Sequence, residues 1–523
     1  MDERTRQDPS APPPAWAGHL PPGTDPRSID LLAEGSLVRA WARRWTENRD
    51  RPVVHAPGRG WLTAADLERE SRRVAGRLHA AGLRRGDRVL VSAASSAALV
   101  TAHAGALRLG LVVVPASTGY REREIAHVVR DAEPRAALID REEARAWVRA
   151  ADPRVVIAGP EVALPDGPAA PPGLDEATAG DPALICYTSG TTGAPKGAVL
   201  SHGNALASAE AVRLAWRWSE ADRLVLALPL FHVHGLAVGL HGTLLAGGSA
   251  VLLPSFGADA VLDAARDHAA TMFFGVPTMY ARLAASPRLA ELGRLRLCVS
   301  GSAPLQPQLF ERIAAAAGQR ILERYGMSET LMNISNPHDG ERRPGSVGLP
   351  LPGVEVALAE PGGGAPEPDR AEGEILLRGP NVFSGYWRNP EATAAAFTGP
   401  YFRSGDIGAR AADGTYSIVG RCKELIISGG YNVYPREVEE VLLAHPAVAE
   451  VAVAGTPSDE WGETVTAYIV PRGPAPDPAE LTAFADARLA AYKRPRIVHF
   501  VPALPRNALG KVVRGALAGL IQS

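Results

Sequence analysis

The segment with the clearest chemical character runs Tyr187-Thr-Ser-Gly-Thr-Thr-Gly-Ala-Pro-Lys-Gly197, directly after the apolar run Ala183-Leu-Ile-Cys186. Its glycines let the backbone bend sharply and turn N–H groups toward an anion, while Thr188, Ser189, Thr191 and Thr192 add hydroxyl donors. Lys196 supplies a mobile positive charge. Such a loop suits a polyphosphate. No G-x-x-x-x-G-K-[ST] occurs in it and the chain has no G-x-G-x-x-G, so the P-loop NTPases and the dinucleotide-binding enzymes are disfavoured.

Other reactive groups have ordinary readings when taken singly. Glu329 could start a surface helix, Asp406 follows a glycine as turn residues do, and Lys511, near the end of the chain, could be a solvated charge. His232 and His234 form an H-x-H pair with no third ligand at metal spacing, which leaves a packed or hydrogen-bonded pair as open as a direct catalytic role. Cys186, Cys298 and Cys422 are far apart and form no C-x-x-C, so neither a disulfide framework nor a thiolate metal site is expected and a reducing, cytoplasmic compartment fits.

The elements that must position these groups follow from the pattern of the chain. With 523 residues, 46% of them apolar, two or more domains are expected. Lys plus Arg (55) nearly cancel Asp plus Glu (57), which argues against nucleic acid or an anionic membrane surface as partner. The N-terminus mixes charge and proline without an apolar run, so no signal peptide is expected and residues 1–30 read as a disordered tail. The most apolar stretch, Ala97 to Ala116, is interrupted by Thr101, His103 and Arg108 and reads as a buried helix followed by a strand.

From Leu31 onward, helical patterns such as LTAADLERESRRVAGRLHAAGL alternate with short runs such as RVLVSA, LVVVPA and RAALID, which predicts α/β architecture with a mostly parallel sheet. The Pro/Gly-rich stretch 159–182 reads as a linker, and the chain turns β-rich from about Gly345 to Val419. From Val433 a helix with Pro435 in its first turn, two strands, a further helix over Pro478–Tyr492 and a short last strand predict a separate α+β domain. The expected division is 31–421 for a large N-terminal domain and 422–523 for a small C-terminal one.

The eleven residues 187–197, in this order, resemble the signature of the adenylate-forming superfamily of acyl-CoA synthetases, luciferases and peptide-synthetase adenylation domains. The resemblance extends from about residue 35 to the end. It implies an ATP-dependent acid:CoA ligase that first joins a carboxylic acid to AMP and then passes the acyl group to coenzyme A. It also implies that Thr188, Ser189, Gly190, Thr191, Thr192 and Lys196 hold the phosphates. Ser300-Gly-Ser-Ala-Pro304 resembles the adenine-side loop, contributing Ser302, Ala303 and Pro304. Glu323-Arg-Tyr-Gly-Met-Ser-Glu329 resembles the next motif, in which Glu323, Arg324, Tyr325 and Gly326 line the nucleotide, Tyr325 packs on adenine and Ser328 meets phosphate. Glu329, with Thr188, would hold Mg²⁺. A carboxylate beside a triphosphate needs such a cation between them.

By the same resemblance Asp406 accepts hydrogen bonds from both ribose hydroxyls, Arg421 contacts ATP and Lys423 is the hinge. Lys511 in Pro505-Arg-Asn-Ala-Leu-Gly-Lys511 is the adenylating lysine, placing an ammonium where charge builds on the α-phosphate. The small domain would swing about its hinge and present Ile427–Tyr434, where Gly429 and Gly430 let pantetheine pass close to the backbone.

The acid should lie among Pro229–Gly235, Phe274–Arg282 and the segment after Glu329, with His232, His234, Arg282 and Met332 as its contacts and His232 beside the reacting carboxylate. An Arg facing this cavity could pair bidentately with a second carboxylate. The wording PLFHVHGL, GVPTMYARL and ERYGMSETLMNISNP resembles malonyl-CoA synthetases, which implies malonate or methylmalonate. Ser255 stands where that family tends to carry a basic residue. The alternatives are a short or medium-chain monocarboxylate as substrate, a separate carrier protein as thiol acceptor, or a non-catalytic nucleotide-binding protein; intact Lys196, Glu329, Asp406 and Lys511 argue against the last.

Overall fold

A computed structural model of the chain describes residues 14–188, 195–428, 431–458, 461–506 and 511–521, and for Asn432 the backbone. The chain divides into two compact units, Met1–Glu355 with Leu377–Ala396, and Val356–Leu376 with Phe397–Ser523. Of the expected N-terminal tail, residues 1–13 lie outside the described residues; the rest carries short 3₁₀ turns at Ala15–His19 and Pro26–Ser28.

The first unit is α/β, as the alternation predicts. One sheet has the order Gly385–Tyr386, Lys196–Ser201, Pro182–Thr188, Val112–Pro115, Arg88–Ser92, Ala136–Ile139, Val156–Ala158. From Pro182–Thr188 to Val156–Ala158 every pairing is parallel, and the two pairings at the other end are antiparallel. Parallel strands buried on both faces read as continuous apolar runs, which is how Val112–Pro115 and Ala136–Ile139 are composed. The connecting helices begin at side-chain caps: Thr63 and Asp66 form a reciprocal box ahead of Ala64–Ala80, and Ser96 accepts from Leu99 N ahead of Ala97–Arg108. That second helix and strand Val112–Pro115 are the elements expected within Ala97–Ala116. Arg108 stays charged at 1% exposure because Asp175 takes its Nε and Nη2 at 2.8 and 2.7 Å.

Nine further strands of this unit run in the order Ser346–Pro350, Leu331–Ser335, Leu322–Met327, Leu297–Ser300, Met272–Gly275, Arg223–Leu226, Ser249–Leu252, Pro52–Ala56, Gly60–Thr63, parallel through the middle and antiparallel at both ends. Trp216 and Trp218 pack edge-on against Phe274, at 5.2 and 5.3 Å between ring centres, and close the core beside the central strands.

The second unit holds most of strand Glu372–Arg378, strands Tyr401–Arg410 and Tyr416–Arg421, the last two antiparallel, and a five-stranded sheet. In that sheet Val448–Ser458 and Gly462–Pro471 pair antiparallel, and Ile497–Phe500 adds parallel to the latter. Helix Pro435–Leu443 starts with Pro435 at its first position and buries Val438 and Leu442 against the sheet. The helix expected over Pro478–Tyr492 stops at Asp486, followed by a separate turn at Ala491–Lys493. Arg494 takes the carbonyls of Asp486 and Leu489 at 2.9 and 3.0 Å, satisfying helix-end acceptors, and Pro495 disfavours helical geometry just before it.

Candidate active site

The flanks of the phosphate-loop segment form a hairpin. Strands Pro182–Thr188 and Lys196–Ser201 pair antiparallel with Thr188 opposite Lys196 and Tyr187 opposite Gly197. Thr188 Oγ1 lies 3.4 Å from the Lys196 carbonyl. Ser189, Gly190, Thr191 and Thr192 lie outside the described residues. At the base of the hairpin the Lys196 ammonium sits 5.2 Å above the Tyr386 ring, and the Tyr386 hydroxyl donates to Glu329 Oε1 at 3.1 Å. Sequence reasoning missed Tyr386; its signal is a hydroxyl-bearing aromatic in strand Gly385–Tyr386, which pairs with Lys196–Ser201. Burial, and then the Glu329 charge, raises the Tyr386 phenol above its ordinary range and keeps it a donor.

Glu329 is buried in the turn between strands Leu322–Met327 and Leu331–Ser335. A Cβ on Gly326 would run into the Leu331 carbonyl, so the register shift between Tyr325 and Gly326 requires glycine there. Buried amides lock the turn: Asn381 Nδ2 donates to the Thr330 and Met332 carbonyls at 2.7 and 3.1 Å, and Asn333 Nδ2 donates to Thr330 Oγ1 at 2.7 Å. Glu323 accepts from Leu305 N at 3.1 Å, tying this strand to the loop that follows Ser300–Pro304. Tyr325 and Met332 are buried, Ser302 and Ser328 half-buried, and Ala303 and Pro304 exposed. Cys186 faces this region, with its thiol pushed up to about 12 by burial and the Glu329 charge, and so stays inert.

On the acid side, Pro229–Gly235 curls so tightly that a Cβ on Gly235 would strike the Pro229 carbonyl. A π-helical turn, His234–Leu240, follows. His232 is half-buried, with its Nδ1 3.3 Å from His234 N. His234 is buried; desolvation first, then the charge of Arg324, hold it neutral, and its Nδ1 lies 3.4 Å from Ser302 Oγ. Arg324 is buried beside Gly301. Arg282, on helix Pro277–Ala284, is exposed and lies over the Phe256 ring at 5.1 Å.

In the second unit, Asp406 is 3% exposed on strand Tyr401–Arg410, opposite Arg421, whose Nε lies 2.8 Å from Asp406 Oδ1. Lys423 is exposed in a 3₁₀ turn, Cys422–Glu424. Gly429 and Gly430 lie outside the described residues. Lys511 is exposed, next to an isolated bridge between Arg506 and Val512, and Arg514 pairs with Glu424 at 2.8 Å and with Glu439.

The donor set suits Mg²⁺, which takes oxygen ligands and is usually shared between one or two carboxylates, water and substrate phosphates. Glu329 and Thr188 offer oxygen, and among the described residues no group of three or more His, Cys, Asp or Glu is placed to enclose a metal alone. Also among the described residues, no helix is long and apolar enough to cross a membrane.

The AMP-binding enzyme family matches residues 41–387, and the AMP-binding enzyme C-terminal domain matches 437–511. Feruloyl-CoA synthase of Amycolatopsis sp. is 38% identical over 484 residues, 90% of this chain and 97% of that one. The mitochondrial malonate–CoA ligase of Mus musculus is 40% identical over 367 residues, 63% of each chain. Among solved structures, ATP-bound MatB from Rhodopseudomonas palustris has a TM-score of 0.86 at 38% identity, covering 92% of this chain and 98% of that one. The o-succinylbenzoate CoA synthetase of Bacillus subtilis with ATP and magnesium has 0.83 at 31%, covering 92% and 99%. The chain therefore belongs to the AMP-binding enzyme family and is an acid–thiol ligase, an acyl-CoA synthetase using ATP, Mg²⁺ and coenzyme A.

Proposed function

We propose that this ligase activates a short dicarboxylic acid, malonate first and methylmalonate second. One observation carries the choice: beside the H-x-H loop lie a buried guanidinium, Arg324, and a buried imidazole, His234, where a ligase for aliphatic acids would bury only apolar groups. The likeness to a malonate–CoA ligase and to MatB supports the same reading.

In the first half-reaction a carboxylate oxygen of the acid attacks the α-phosphorus of ATP, the bond to pyrophosphate breaks, and an acyl-adenylate forms. Lys511 neutralises the charge that accumulates on the α-phosphate oxygens, while Lys196 and the loop hydroxyls hold the outer phosphates. Asp406 accepts from the ribose hydroxyls with Arg421 beside it, Tyr325 packs on adenine, and His232 orients the reacting carboxylate. Glu329, fixed by Tyr386, would hold Mg²⁺ together with Thr188; the ion, when bound, screens the phosphates from one another. In the second half-reaction the thiol sulfur of coenzyme A bonds to the acyl carbon, the bond to AMP breaks and the thiol proton is lost. Lys423 serves as the hinge between the two steps, with the Ile427–Tyr434 segment on the thiol side.

The test is pyrophosphate release with ATP, Mg²⁺ and coenzyme A over malonate, methylmalonate, succinate, acetate, butyrate and ferulate. Malonate should lead, with malonyl-CoA and AMP as products. A preference for butyrate or ferulate would overturn the choice of acid, and adenylation without thioester formation would point to a separate carrier as acceptor.

A further inference from the structure

Arg324 occupies an unusual position for a charged side chain. It lies on strand Leu322–Met327 between Glu323 and Tyr325, so alternation sends it to the opposite face from both. There it lies flat on Gly301: a Cβ at that position would run into its Cζ, Nε and Nη1, so only glycine admits the guanidinium. Its Nε and Nη2 are buried and have no hydrogen-bond partner among the described residues. No carboxylate among the described residues offsets the loss of water, and burial lowers its pKa to about 9.

Neighbouring groups share the deficit. Among the described residues His234 Nε2, buried next to Arg324, has no partner, and neither does Ser300 Oγ, one residue before Gly301. Buried polar groups in folded proteins are nearly always satisfied, and an unpaired buried charge is among the costliest arrangements. Four such atoms on three residues around one glycine describe a site whose partner comes from outside the chain. Nε and Nη2 form one edge of the guanidinium fork, which matches the two oxygens of a carboxylate.

We infer that Arg324, seated on Gly301 with His234 beside it, binds the second, non-reacting carboxylate of the acid, and that this pairing rather than Arg282 selects a dicarboxylate. The inference rests on the reading of the acid given above and names the group responsible. An aliphatic acid would leave the guanidinium unpaired against a methyl or methylene group, so monocarboxylates are rejected by an uncompensated charge rather than by size. Arg282, exposed over Phe256, pairs its charge with solvent and an aromatic face.

The experiment compares the full chain with Arg324→Met and Arg324→Lys, measuring thioester formation from malonate and from butyrate. With Arg324→Met, kcat/KM for malonate should fall about a hundredfold further than for butyrate, chiefly through KM for the acid, with KM for ATP little altered. Arg324→Lys should recover part of the loss, since it restores charge without the fork. Gly301→Ala, which shifts the guanidinium while keeping its charge, should shift preference the same way and serves as the second route if Arg324→Met does not fold. Equal losses for the two acids, or a loss confined to KM for ATP, would overturn the assignment, the latter placing the fork on a phosphate. A wild-type enzyme that makes butyryl-CoA but no malonyl-CoA would instead defeat the reading of the acid itself.

Discussion

Glu329 and Lys511 are both assigned to the phosphates, yet the chain holds them by different means. Glu329 is 7% exposed, its main-chain carbonyl accepts from Phe383 N at 2.9 Å, its side chain accepts from Tyr386, and the turn around it is tied by the Asn381 and Asn333 amides. Lys511 is exposed, and its segment is fastened through neighbours: Val513 N to the Pro505 carbonyl at 2.8 Å, Arg506 to Glu450 at 2.7 Å, and Arg514 to Glu424 and Glu439. Buried amides in a low-dielectric setting fix a group in one geometry, whereas an exposed ion pair such as Arg506 with Glu450 can be exchanged at little cost. The first arrangement suits the metal-holding role proposed for Glu329, and the second suits the role proposed for Lys511 in only one of two half-reactions.

The comparison is sharpened most by Lys511→Ala. Removing a group that acts only on the developing charge should lower the rate of acyl-adenylate formation by about a thousandfold, with thioester formation from supplied malonyl-AMP and coenzyme A kept within a few fold. Pyrophosphate release and malonyl-AMP consumption, assayed separately, check both halves. Equal losses in the two would assign Lys511 a structural role instead.

Tyr386→Phe probes the other side with a smaller effect. It deletes the donor to Glu329 Oε1 and keeps the ring beneath Lys196, so the fold should survive. Half-saturation by Mg²⁺ should shift upward by about tenfold with kcat at saturating Mg²⁺ nearly restored, because an orienting partner of a metal-binding carboxylate acts on affinity. A fall in kcat that excess Mg²⁺ does not repair would show that Tyr386 serves the phosphates directly.

These two residues also mark how far the sequence could be read. Thr188 and Lys196 face each other because an apolar strand before the loop and a short strand after it make a hairpin; the first strand was legible as the run Ala183–Cys186, the second, Lys196–Ser201, was not. The alternation of helix and strand predicted the α/β unit, and the change of style after Val433 predicted the α+β sheet that follows. Tyr386 was not legible. It lies 57 residues from Glu329 and meets it only because strand Gly385–Tyr386 pairs with Lys196–Ser201, a long-range pairing that no local period encodes. Arg324 was legible as part of a nucleotide motif, but its depth was not, since the space it fills is created by Gly301 on a neighbouring loop. Helix ends were least legible: the pattern to Tyr492 remains amphipathic, yet the helix stops at Asp486, whose carbonyl Arg494 takes from further along the chain.

The smallest effect concerns stability. His19 and His202 are buried, with pKa values lowered to about 4 chiefly by desolvation, and His234 and His241 are likewise held neutral. An unfolded chain takes up a proton on each near pH 6.5, while the native fold refuses it until about pH 4 at His19 and His202. Their contribution is therefore complete above pH 6.5 and lost as the pH falls from there toward 4, at up to ~1.4 kcal/mol per pH unit per histidine. Carboxylates such as Asp66, lowered to about 2 by its hydrogen bonds to Thr63 N and Arg69, act in the same direction but below about pH 4, so the two windows separate. Urea midpoints should be level between pH 8 and 7 and decline from 6.5 to 4.5, and His202→Ala should flatten that decline even though it lowers the midpoint at pH 7.5. A midpoint unchanged between pH 7.5 and 5 would mean that these imidazoles find water or a proton acceptor in the native state, contrary to His202 Nδ1 and Nε2 and His241 Nδ1, which have no partner among the described residues.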